Sequence, residues 1–395
     1  MEESEIWFDR AVRAGGNGDH EAAERAWREV LARTPDRADA WLGLGLCLTS
    51  ARRFVDAIDP LTRACRAPDT PPLWRLCLAQ ALYMAGRFGD SAALFAEVAD
   101  LEPLEANARL TWARAAAMAD MIDGSVEDAL ARYADIAGPQ AEDQGQVASD
   151  AFAVLPVFGH VQSAIAVGRW LLARDPADIK ITYALAALEK RSLHRAPAAY
   201  VEALFDGFAD RFDAKLVDDL GYQAPRLMAD LVALHRDRFM AILDLGCGTG
   251  LSAQPLSRFD ASLVGVDLSG AMLEKARGRA LYDELVQDDL AAFLPTRPLA
   301  FDLVFAADVL IYFGDLASVV AGVAAALRGG GFFAFSTELG ADDWTLLDSG
   351  RFAHAPAYLH RLAGDAFDIL DEKRVVLRRE GSGGVDGLLC LWRRR

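Results

Sequence analysis

Cysteine is scarce in this sequence, and the few residues present form no recognisable pattern. They stand at Cys47, Cys65, Cys77, Cys247 and Cys390. This is an odd number without the paired spacing of a disulfide framework or a metal site. Because scattered cysteines fit a reducing compartment, we expect free thiols, no bound metal and a cytoplasmic location.

Long apolar runs and a basic leader are also missing. No uninterrupted apolar stretch reaches the ~18 residues that a membrane-spanning helix needs. The chain starts with the acidic segment MEESE, where a secretory signal would be basic and then apolar. The sequence therefore predicts neither a membrane span nor a secretory signal.

Positive charge is in the minority. The 41 Lys and Arg residues against 58 Asp and Glu residues give a formal net charge of −17. Basic clusters such as residues 52–53, 378–379 and 393–395 are short, and we interpret them as solvated faces. Because non-specific nucleic-acid binding depends on clustered Lys and Arg, a nucleic-acid partner is disfavoured. An acidic surface favours a basic or neutral substrate.

What the sequence does contain is a glycine-rich turn after a short apolar run. Residues 242–250 read ILDLGCGTG, which predicts a buried strand that ends at a tight turn before a helix. Gly246, Gly248 and Gly250 leave no side chains between the backbone and a ligand. The free N–H groups at the start of the helix would point at that ligand. The pattern is typical of a nucleotide-binding loop.

The glycine spacing distinguishes two classes of nucleotide site. A dinucleotide-binding loop has the pattern G-x-G-x-x-G, but its third glycine position is occupied here by Leu251, which disfavours a nicotinamide-dependent oxidoreductase. A second β-rich run, residues 262–267, ends in Asp267, 21 residues after Gly246. A carboxylate at the tip of the second strand can accept hydrogen bonds from both ribose hydroxyls.

From near Tyr200 onward the sequence resembles the class I S-adenosylmethionine-dependent methyltransferases. The resemblance rests on the glycine loop, on Asp267 and on three later motifs. These motifs are LVQDDL at 285–290, FDLVFAAD at 301–308 and LRGGGFFAF at 327–335. Upstream, FDGFADRFD at 205–213 is similar to the aromatic-acid helix that covers the cofactor in this family.

The resemblance implies a fold. It predicts a seven-stranded, Rossmann-like α/β domain, which we place at residues 194–395 because Pro197 marks a boundary between helical stretches. The predicted strands lie near 240–245, 262–267, 284–287, 302–307, 331–336, 367–377 and 386–392. The last two are expected to form an antiparallel pair at one edge.

The resemblance also implies a cofactor site for S-adenosylmethionine, with S-adenosylhomocysteine as the product. The three glycines would line the methionine end, with Asp244 near its amino group and Asp267 at the ribose. The further residues carried over are Leu268, Met272, Asp289, Leu290 and Ala306. Asp288 is the alternative to Asp289 near the adenine, and plain packing is the alternative for Leu268 and Met272.

Three residues are candidates for catalysis on the acceptor side. Asp308 and Tyr312 follow the fourth strand, at the edge where open α/β sheets bind ligands. Either would orient or deprotonate the acceptor, with helix capping as the alternative for Asp308. His354 is a third candidate because histidine titrates near neutrality, with an exposed or capping role as the alternative. No N-P-P-Y or D-P-P-Y motif follows the fourth strand, which disfavours methylation of amide or adenine nitrogens.

The N-terminal half repeats with a fixed period. Separations of 34 residues relate Trp7 to Trp41, Ala23 to Ala57, and Phe54 to Phe88, and this is the period of tetratricopeptide repeats, which are helix-turn-helix units. A fourth unit requires an insertion near residues 121–124, and a fifth runs from about 147 to 176. Residues 178–190 predict a capping helix, so we assign residues 1–193 to an all-α superhelix.

Such an array predicts a concave groove that holds an extended peptide or a partner helix. The repeat register assigns to this groove Phe8, Leu42, Leu46, Leu76, Gln80, Tyr83, Leu110 and Arg114. We therefore predict a methyltransferase that modifies a protein or peptide docked by the repeats. The alternatives are a small-molecule methyltransferase whose repeats form a homodimer, and a non-catalytic scaffold that binds the cofactor.

Overall fold

The computed structural model describes residues 2–191, 193–207, 209, 222–380 and 383–395. Their contacts divide the chain into two compact units, Met1–Pro176 and Ala177–Arg395. None of the helices in this described part combines the length and apolarity that crossing a bilayer demands.

The first unit is built from pairs of α-helices. Its helices are α1 (Glu2–Gly16), α2 (His20–Arg33), α3 (Ala38–Ser50), α4 (Phe54–Ala64), α5 (Pro72–Met84), α6 (Phe88–Ala99), α7 (Ala106–Asp123), α8 (Val126–Ala137), α9 (Gln144–Val154) and α10 (Val161–Arg174). The second helices of the first three pairs begin at His20, Phe54 and Phe88, which keeps the period of 34. Helix α7 is longer, with 18 residues, and α8 starts four residues later than that period requires. The predicted insertion near residues 121–124 therefore lengthens a helix.

Small residues let the helices of the array pack closely. A Cβ atom on Gly43 would lie 2.4 Å from the Trp27 ring, and one on Gly45 would lie 2.5 Å from Leu61. The turn within each of the first three pairs has a residue with positive φ at the same repeat position, namely Gly18, Arg52 and Gly86. Glycine adopts this conformation without a steric penalty. Two of the three turns therefore have the residue that suits the conformation, and the third has Arg52.

The second unit is an α/β domain with nine strands among the described residues. They are β1 (Ala241–Leu245), β2 (Ser262–Asp267), β3 (Glu284–Gln287), β4 (Phe301–Ala306), β5 (Leu327–Leu339), β6 (Trp344–Leu346), β7 (Phe352–His354), β8 (Phe367–Glu380) and β9 (Gly383–Arg394). The helices are α11 (Ile179–Leu188), α12 (Ala198–Asp206), α13 (Ala224–Ala233), α14 (Ala253–Leu256), α15 (Gly270–Gly278), α16 (Leu290–Phe293), α17 (Ala317–Ala326) and α18 (Pro356–Ala363).

The sheet confirms the predicted fold class. Its parallel part has the order β3-β2-β1-β4-β5, and β9 runs antiparallel between β5 and β8. These seven strands are the Rossmann-like arrangement that the sequence predicts, with the antiparallel pair at one edge. Strands β6 and β7 were not predicted. They form a short antiparallel hairpin, and β7 pairs in parallel with the C-terminal end of β5.

Apolar side chains cover both faces of the parallel strands. On β1 and β4, Leu243 and Val304 pack into one core, whereas Ile242 and Phe305 pack into the core on the opposite face. Successive side chains point to opposite faces, so strands buried on both sides read as continuous apolar runs. Polar side chains at the ends of these strands are therefore exceptions that require an explanation.

Helix α11 belongs to the second unit by its contacts. Its Tyr183 hydroxyl donates a hydrogen bond to the Gly350 carbonyl at 3.0 Å, and Tyr183 and Ala187 pack with Leu346 and Phe352. These two residues of α11 are thus buried in a core of the second unit. The contacts divide after Pro176, whereas the sequence places the boundary at 193/194.

Candidate functional site

A cleft opens at the carboxyl ends of β1, β2 and β4. Its empty volume is about 700 Å³, counting the space that is open to solvent. Seven of the predicted site residues line it, namely Gly246, Gly248, Asp267, Leu268, Leu290, Asp308 and Tyr312. The parallel strands bring these residues together because their C-terminal ends meet at one edge of the sheet.

The glycine loop turns sharply at the floor of the cleft. Gly246, Gly248 and Gly250 all have positive φ angles, of 64°, 53° and 83°, which side-chain-bearing residues rarely adopt. A Cβ atom on Gly246 would lie 2.4 Å from the Val309 side chain. The loop thus requires glycine at Gly246 for two independent reasons, its backbone conformation and the close approach of the segment after β4.

Asp267, at the end of β2, fixes this loop. One carboxylate oxygen accepts a hydrogen bond from the Gly248 N–H at 2.8 Å, and the other accepts one from the Ser269 N–H at 2.9 Å. Burial raises the pKa of Asp267, while these backbone donors act in the opposite direction. A carboxylate has about four acceptor positions, and the Leu268 N–H also acts on this one, so acceptor capacity remains for at least one hydroxyl donor in the cleft.

Asp244, at the end of β1, lies behind the loop and is 1% exposed. Its Oδ2 accepts a hydrogen bond from the Tyr282 hydroxyl at 2.6 Å. Its Oδ1 is buried without a hydrogen bond of ordinary geometry to any described residue. Burial raises the pKa of Asp244 to about 7. A buried carboxylate oxygen that lacks a hydrogen-bond donor favours a cationic donor as its partner.

Helix α12 ends against the turn that follows β2. The Ser269 hydroxyl donates to the Asp206 carboxylate at 2.5 Å and accepts a hydrogen bond from the Met272 N–H at 3.1 Å. The Phe205 ring meets the Tyr312 ring edge to face, with centroids 5.6 Å apart. Of the predicted covering segment 205–213, Phe208 and Phe212 lie outside the described residues.

Several predicted cofactor residues do not line the cleft. Met272 and Ala306 are completely buried in the core, so for Met272 the structure favours the packing alternative. Asp289 caps helix α16 by accepting a hydrogen bond from the Ala291 N–H, and it forms an ion pair with Arg195 at 2.5 Å. Asp288 accepts a hydrogen bond from the Asp289 N–H. Asp288 and Asp289, the two acids of the motif at 285–290, therefore have structural roles.

Asp308 stands two residues after the end of β4, in a left-handed conformation with φ of 55°. Its N–H donates to the Ser336 hydroxyl at 2.9 Å, and that hydroxyl donates back to the carboxylate at 3.1 Å. Asp308 does not cap a helix with these contacts; Ser336 on β5 instead orients its carboxylate. Non-glycine residues with positive φ cluster at functional sites, and this one lines the cleft.

Arg378 is a member of the site that the sequence analysis missed. Its guanidinium lies 3.2 Å from the Asp308 carboxylate and also pairs with Glu338, and its side chain is 3% exposed. The interpretation of residues 378–379 as a solvated basic face is therefore wrong for Arg378. Burial raises the pKa of Asp308, and the Arg378 charge opposes this rise.

Tyr312 contributes a protonated hydroxyl. Burial raises its pKa to about 12, and Arg351 is hydrogen-bonded to it. A guanidinium can only donate, so the phenol oxygen is the acceptor in this bond. The phenol O–H is therefore directed elsewhere and can donate to a group bound in the cleft.

His354 is not part of the cleft, which contradicts both its predicted role as a base and the exposed alternative. It is completely buried, and its Nε2 lies 2.9 Å and 3.0 Å from the carbonyl oxygens of Phe313 and Gly314. Carbonyls only accept, so Nε2 carries the proton, and Nδ1 accepts a hydrogen bond from Thr337 at 2.5 Å. Burial lowers the pKa of His354 to about 4, so it is a neutral structural residue.

Comparisons with known proteins match both units. Residues 243–335 match a family model described as a methyltransferase domain, and residues 2–71 match one described as a tetratricopeptide repeat. A trans-aconitate 2-methyltransferase of Paracidovorax citrulli is 42% identical over 95 residues, covering 24% of this chain and 36% of that protein. A malonyl-[acyl-carrier protein] O-methyltransferase of Enterobacter lignolyticus is 34% identical over 150 residues, covering 36% of this chain and 57% of that protein.

The chain spans between about a quarter and just over half of the length of the curated relatives it matches, from 26% to 57%. Among solved structures, the 1,6-didemethyltoxoflavin-N1-methyltransferase of Burkholderia thailandensis aligns with a TM-score of 0.41 and 19% identity. That alignment covers 51% of this chain and 92% of the other.

Proposed function

We propose that this chain transfers a methyl group from S-adenosylmethionine to a protein or peptide that the repeats bind. Residues 243–335 match a methyltransferase domain, and residues 2–71 match a tetratricopeptide repeat. The single observation that carries the methyl-transfer part is the cleft at the glycine loop, where Gly248 and Asp267 are joined by a hydrogen bond.

The residues present fit the cofactor. Asp244 has a buried, unsatisfied oxygen, which suits the ammonium of the methionine part. The positive-φ glycines leave space against the backbone, and the remaining acceptor capacity of Asp267 suits a ribose hydroxyl. Leu268 and Leu290 line the cleft and offer apolar surface to the adenine.

The chemistry requires little from the protein beyond placement. When bound, S-adenosylmethionine supplies a methyl group that is activated by the positive sulfur. Asp308 and Tyr312 line the same cleft and would orient the acceptor, with Asp308 accepting a hydrogen bond and Tyr312 donating one. Holding a nucleophile in the geometry of attack can itself contribute several kcal/mol, roughly 7–11 in well-oriented cases.

Calorimetry tests the cofactor assignment. The full-length protein is titrated with S-adenosylmethionine, S-adenosylhomocysteine and NAD in parallel. We expect the two adenosyl compounds to bind and NAD to bind far more weakly, since Leu251 replaces the third glycine of a dinucleotide loop. Tighter binding of NAD would overturn the proposal.

The first unit provides the surface for a protein acceptor. Tyr83 on α5, Arg114 on α7 and Asp150 on α9 line one pocket together with apolar side chains such as Met118 and Val154. Tyr83 and Arg114 belong to the predicted groove stripe. Residues 1–176 contain 27 acidic and 17 basic side chains, hence a net charge of −10, which favours a basic partner.

Labelled methyl transfer tests the docking. The protein and methyl-labelled cofactor are added to a cell extract, and label is followed in the protein and small-molecule fractions. We expect labelled protein, and we expect Tyr83→Ala to reduce the labelling without changing cofactor affinity. Val55→Ala serves as the control because Val55 is 72% exposed on α4 and lies outside the pocket. Label that enters only small molecules would instead support the alternative acceptor class.

A further inference from the structure

Three aromatic rings and a carboxylate stand among the residues that line the cleft. Phe205, Tyr222 and Tyr312 line the cleft together with Asp308; we call these four residues the acceptor pocket. The Phe205 and Tyr312 rings are 5.6 Å apart at an interplanar angle of 85°. Tyr222 lies close enough to Asp308 and Tyr312 for their charges to influence its pKa. The rings and the carboxylate therefore form one surface.

The charge that faces this surface is negative. Among the described residues that line the cleft, Asp267 and Asp308 are acidic and none is Lys, Arg or His. Arg378 lies behind Asp308 and pairs with both Asp308 and Glu338.

One further cation is close to the acceptor pocket. Arg351 is hydrogen-bonded to the Tyr312 oxygen and its charge acts on Asp308. Arg351 is not among the residues that line the cleft.

We propose, on the basis of the methyl transfer proposed above, that the acceptor presents an amine, and that its ammonium form is bound by Asp308 with the rings of Phe205, Tyr222 and Tyr312 around it. A cation is attracted to the faces of aromatic rings by their quadrupole. It also carries the charge opposite to that of Asp267 and Asp308, the two acidic residues that line the cleft. A carboxylate acceptor would instead be placed beside Asp308 with the same sign of charge.

Asp308 accepts the proton that the ammonium must lose before methyl transfer. The ammonium transfers one proton to the Asp308 carboxylate, which leaves a neutral amine with a free lone pair. That lone pair forms the new N–C bond while the S–C bond breaks and its electron pair stays on sulfur. The products are a protonated methylamine and S-adenosylhomocysteine, and Asp308 then releases its proton to water. Burial raises the pKa of Asp308 above that of an ordinary aspartate, which makes its carboxylate a better proton acceptor.

Three small probes of equal size test this inference on the full-length protein saturated with S-adenosylhomocysteine. Benzylamine, benzyl alcohol and benzoate share one ring and differ in charge, and calorimetry or ligand-observed NMR measures their binding. We expect benzylamine to bind about tenfold more tightly than benzyl alcohol, as a charged hydrogen bond provides, and benzoate to bind most weakly.

The variant Asp308→Asn removes the charge with little change of shape. Asparagine also tolerates the left-handed conformation, so the backbone after β4 is retained. We expect this variant to lower the affinity for benzylamine to that for benzyl alcohol while the affinity for S-adenosylhomocysteine is unchanged. Asp343→Asn, a surface carboxylate paired with Arg361, is the matched control and should alter neither.

The outcomes separate this inference from the proposed function. Failure of S-adenosylhomocysteine to bind would overturn both. If it binds but benzylamine shows no preference or does not bind, only the amine assignment is wrong. Preferential binding of benzoate that is lost in Arg351→Met would show that the pocket selects anions.

Discussion

The carboxylate of Asp267 and the backbone N–H of Gly248 are joined by a hydrogen bond of 2.8 Å. Asp267 ends β2, and Gly248 belongs to the loop that follows β1, so the bond connects two neighbouring strand ends at the cleft. The carboxylate therefore has two roles. It fixes the position of the loop, and it retains a lone pair for a ligand.

The variant Asp267→Asn tests this double role. An amide can accept only through its oxygen, so one of the two backbone N–H groups loses its acceptor and the negative charge is lost. We expect binding of S-adenosylhomocysteine to weaken by about 1–3 kcal/mol, the range for hydrogen bonds to charged groups. Calorimetry measures this, and Glu274→Gln on the exposed face of α15 should have no effect. An unchanged affinity for Asp267→Asn would contradict the ribose role.

Asp244 predicts a pH dependence of cofactor binding. Its pKa in the unliganded fold is about 7, above the ordinary ~3.9 of an unfolded chain. The protonated form therefore predominates below pH 7 and cannot balance the charge of an ammonium group. We expect the affinity for S-adenosylhomocysteine to increase as the pH rises through about 7, and Asp244→Asn to remove this increase. Parallel profiles for the two proteins would contradict it.

The raised pKa of Asp244 also determines how its contribution to the free energy of unfolding changes with pH. Between about pH 4 and pH 7 the folded protein holds a proton on Asp244 that the unfolded chain has lost. Folding therefore becomes less favourable as the pH rises through this window. Binding of the cofactor should partly offset the loss, since its ammonium group would pair with the ionised carboxylate.

The central strands could be predicted from the sequence because their signals are local. The apolar runs around Leu243, Val264 and Val304 are each bounded by glycine or acidic residues, and both faces of the strands are covered. The hairpin of β6 and β7 gave no such signal. Each of its strands has three residues, too few to show a period of two.

The roles of Arg378, His354 and helix α11 could not be predicted because they depend on distant partners. Arg378 is buried because the pairing of β8 with β9, and of β9 with β5, places it opposite Asp308 and Glu338. His354 is buried by Phe313 and Gly314, about 40 residues earlier in the chain. The apolar residues of a helix such as α11 show that the helix is covered, but they do not show which unit covers it.

His354 predicts an acid-sensitive element of stability. Its pKa is lowered to about 4 in the fold, whereas an unfolded histidine has ~6.5. As the pH falls from about 6.5 toward 4, the unfolded chain binds a proton that the folded protein does not. Stability that is present above this window is therefore lost, by roughly 3 kcal/mol.

Denaturant unfolding at several pH values measures the effect of His354. We expect His354→Gln to be less stable near neutrality, because the buried hydrogen bonds are disturbed, and to lose less additional stability on acidification. His360→Gln is the control, since His360 is half-exposed and pairs with Glu372. Equal acid sensitivity of wild type and His354→Gln would show that His354 does not titrate in this window.

Arg52 predicts a stabilising substitution in the repeats. Its φ is 59°, and the equivalent turn positions in the neighbouring repeats are Gly18 and Gly86. A left-handed conformation costs a residue with a side chain roughly 1–2 kcal/mol, and Arg52 is exposed. We expect Arg52→Gly to raise the melting temperature of the array, with a net gain of about 0.5–1 kcal/mol after the entropy cost of glycine.

The reverse change at Gly18 completes the test of the repeat turn. A Cβ atom there would meet nothing within 4 Å, so Gly18→Ala changes only the backbone preference. Gly86 is unsuitable because a Cβ atom would lie 2.2 Å from the Phe158 ring. We expect Gly18→Ala to lower the melting temperature by a similar amount to the rise in Arg52→Gly. If both variants shift it in the same direction, the left-handed turn is not what limits the stability of these helix pairs.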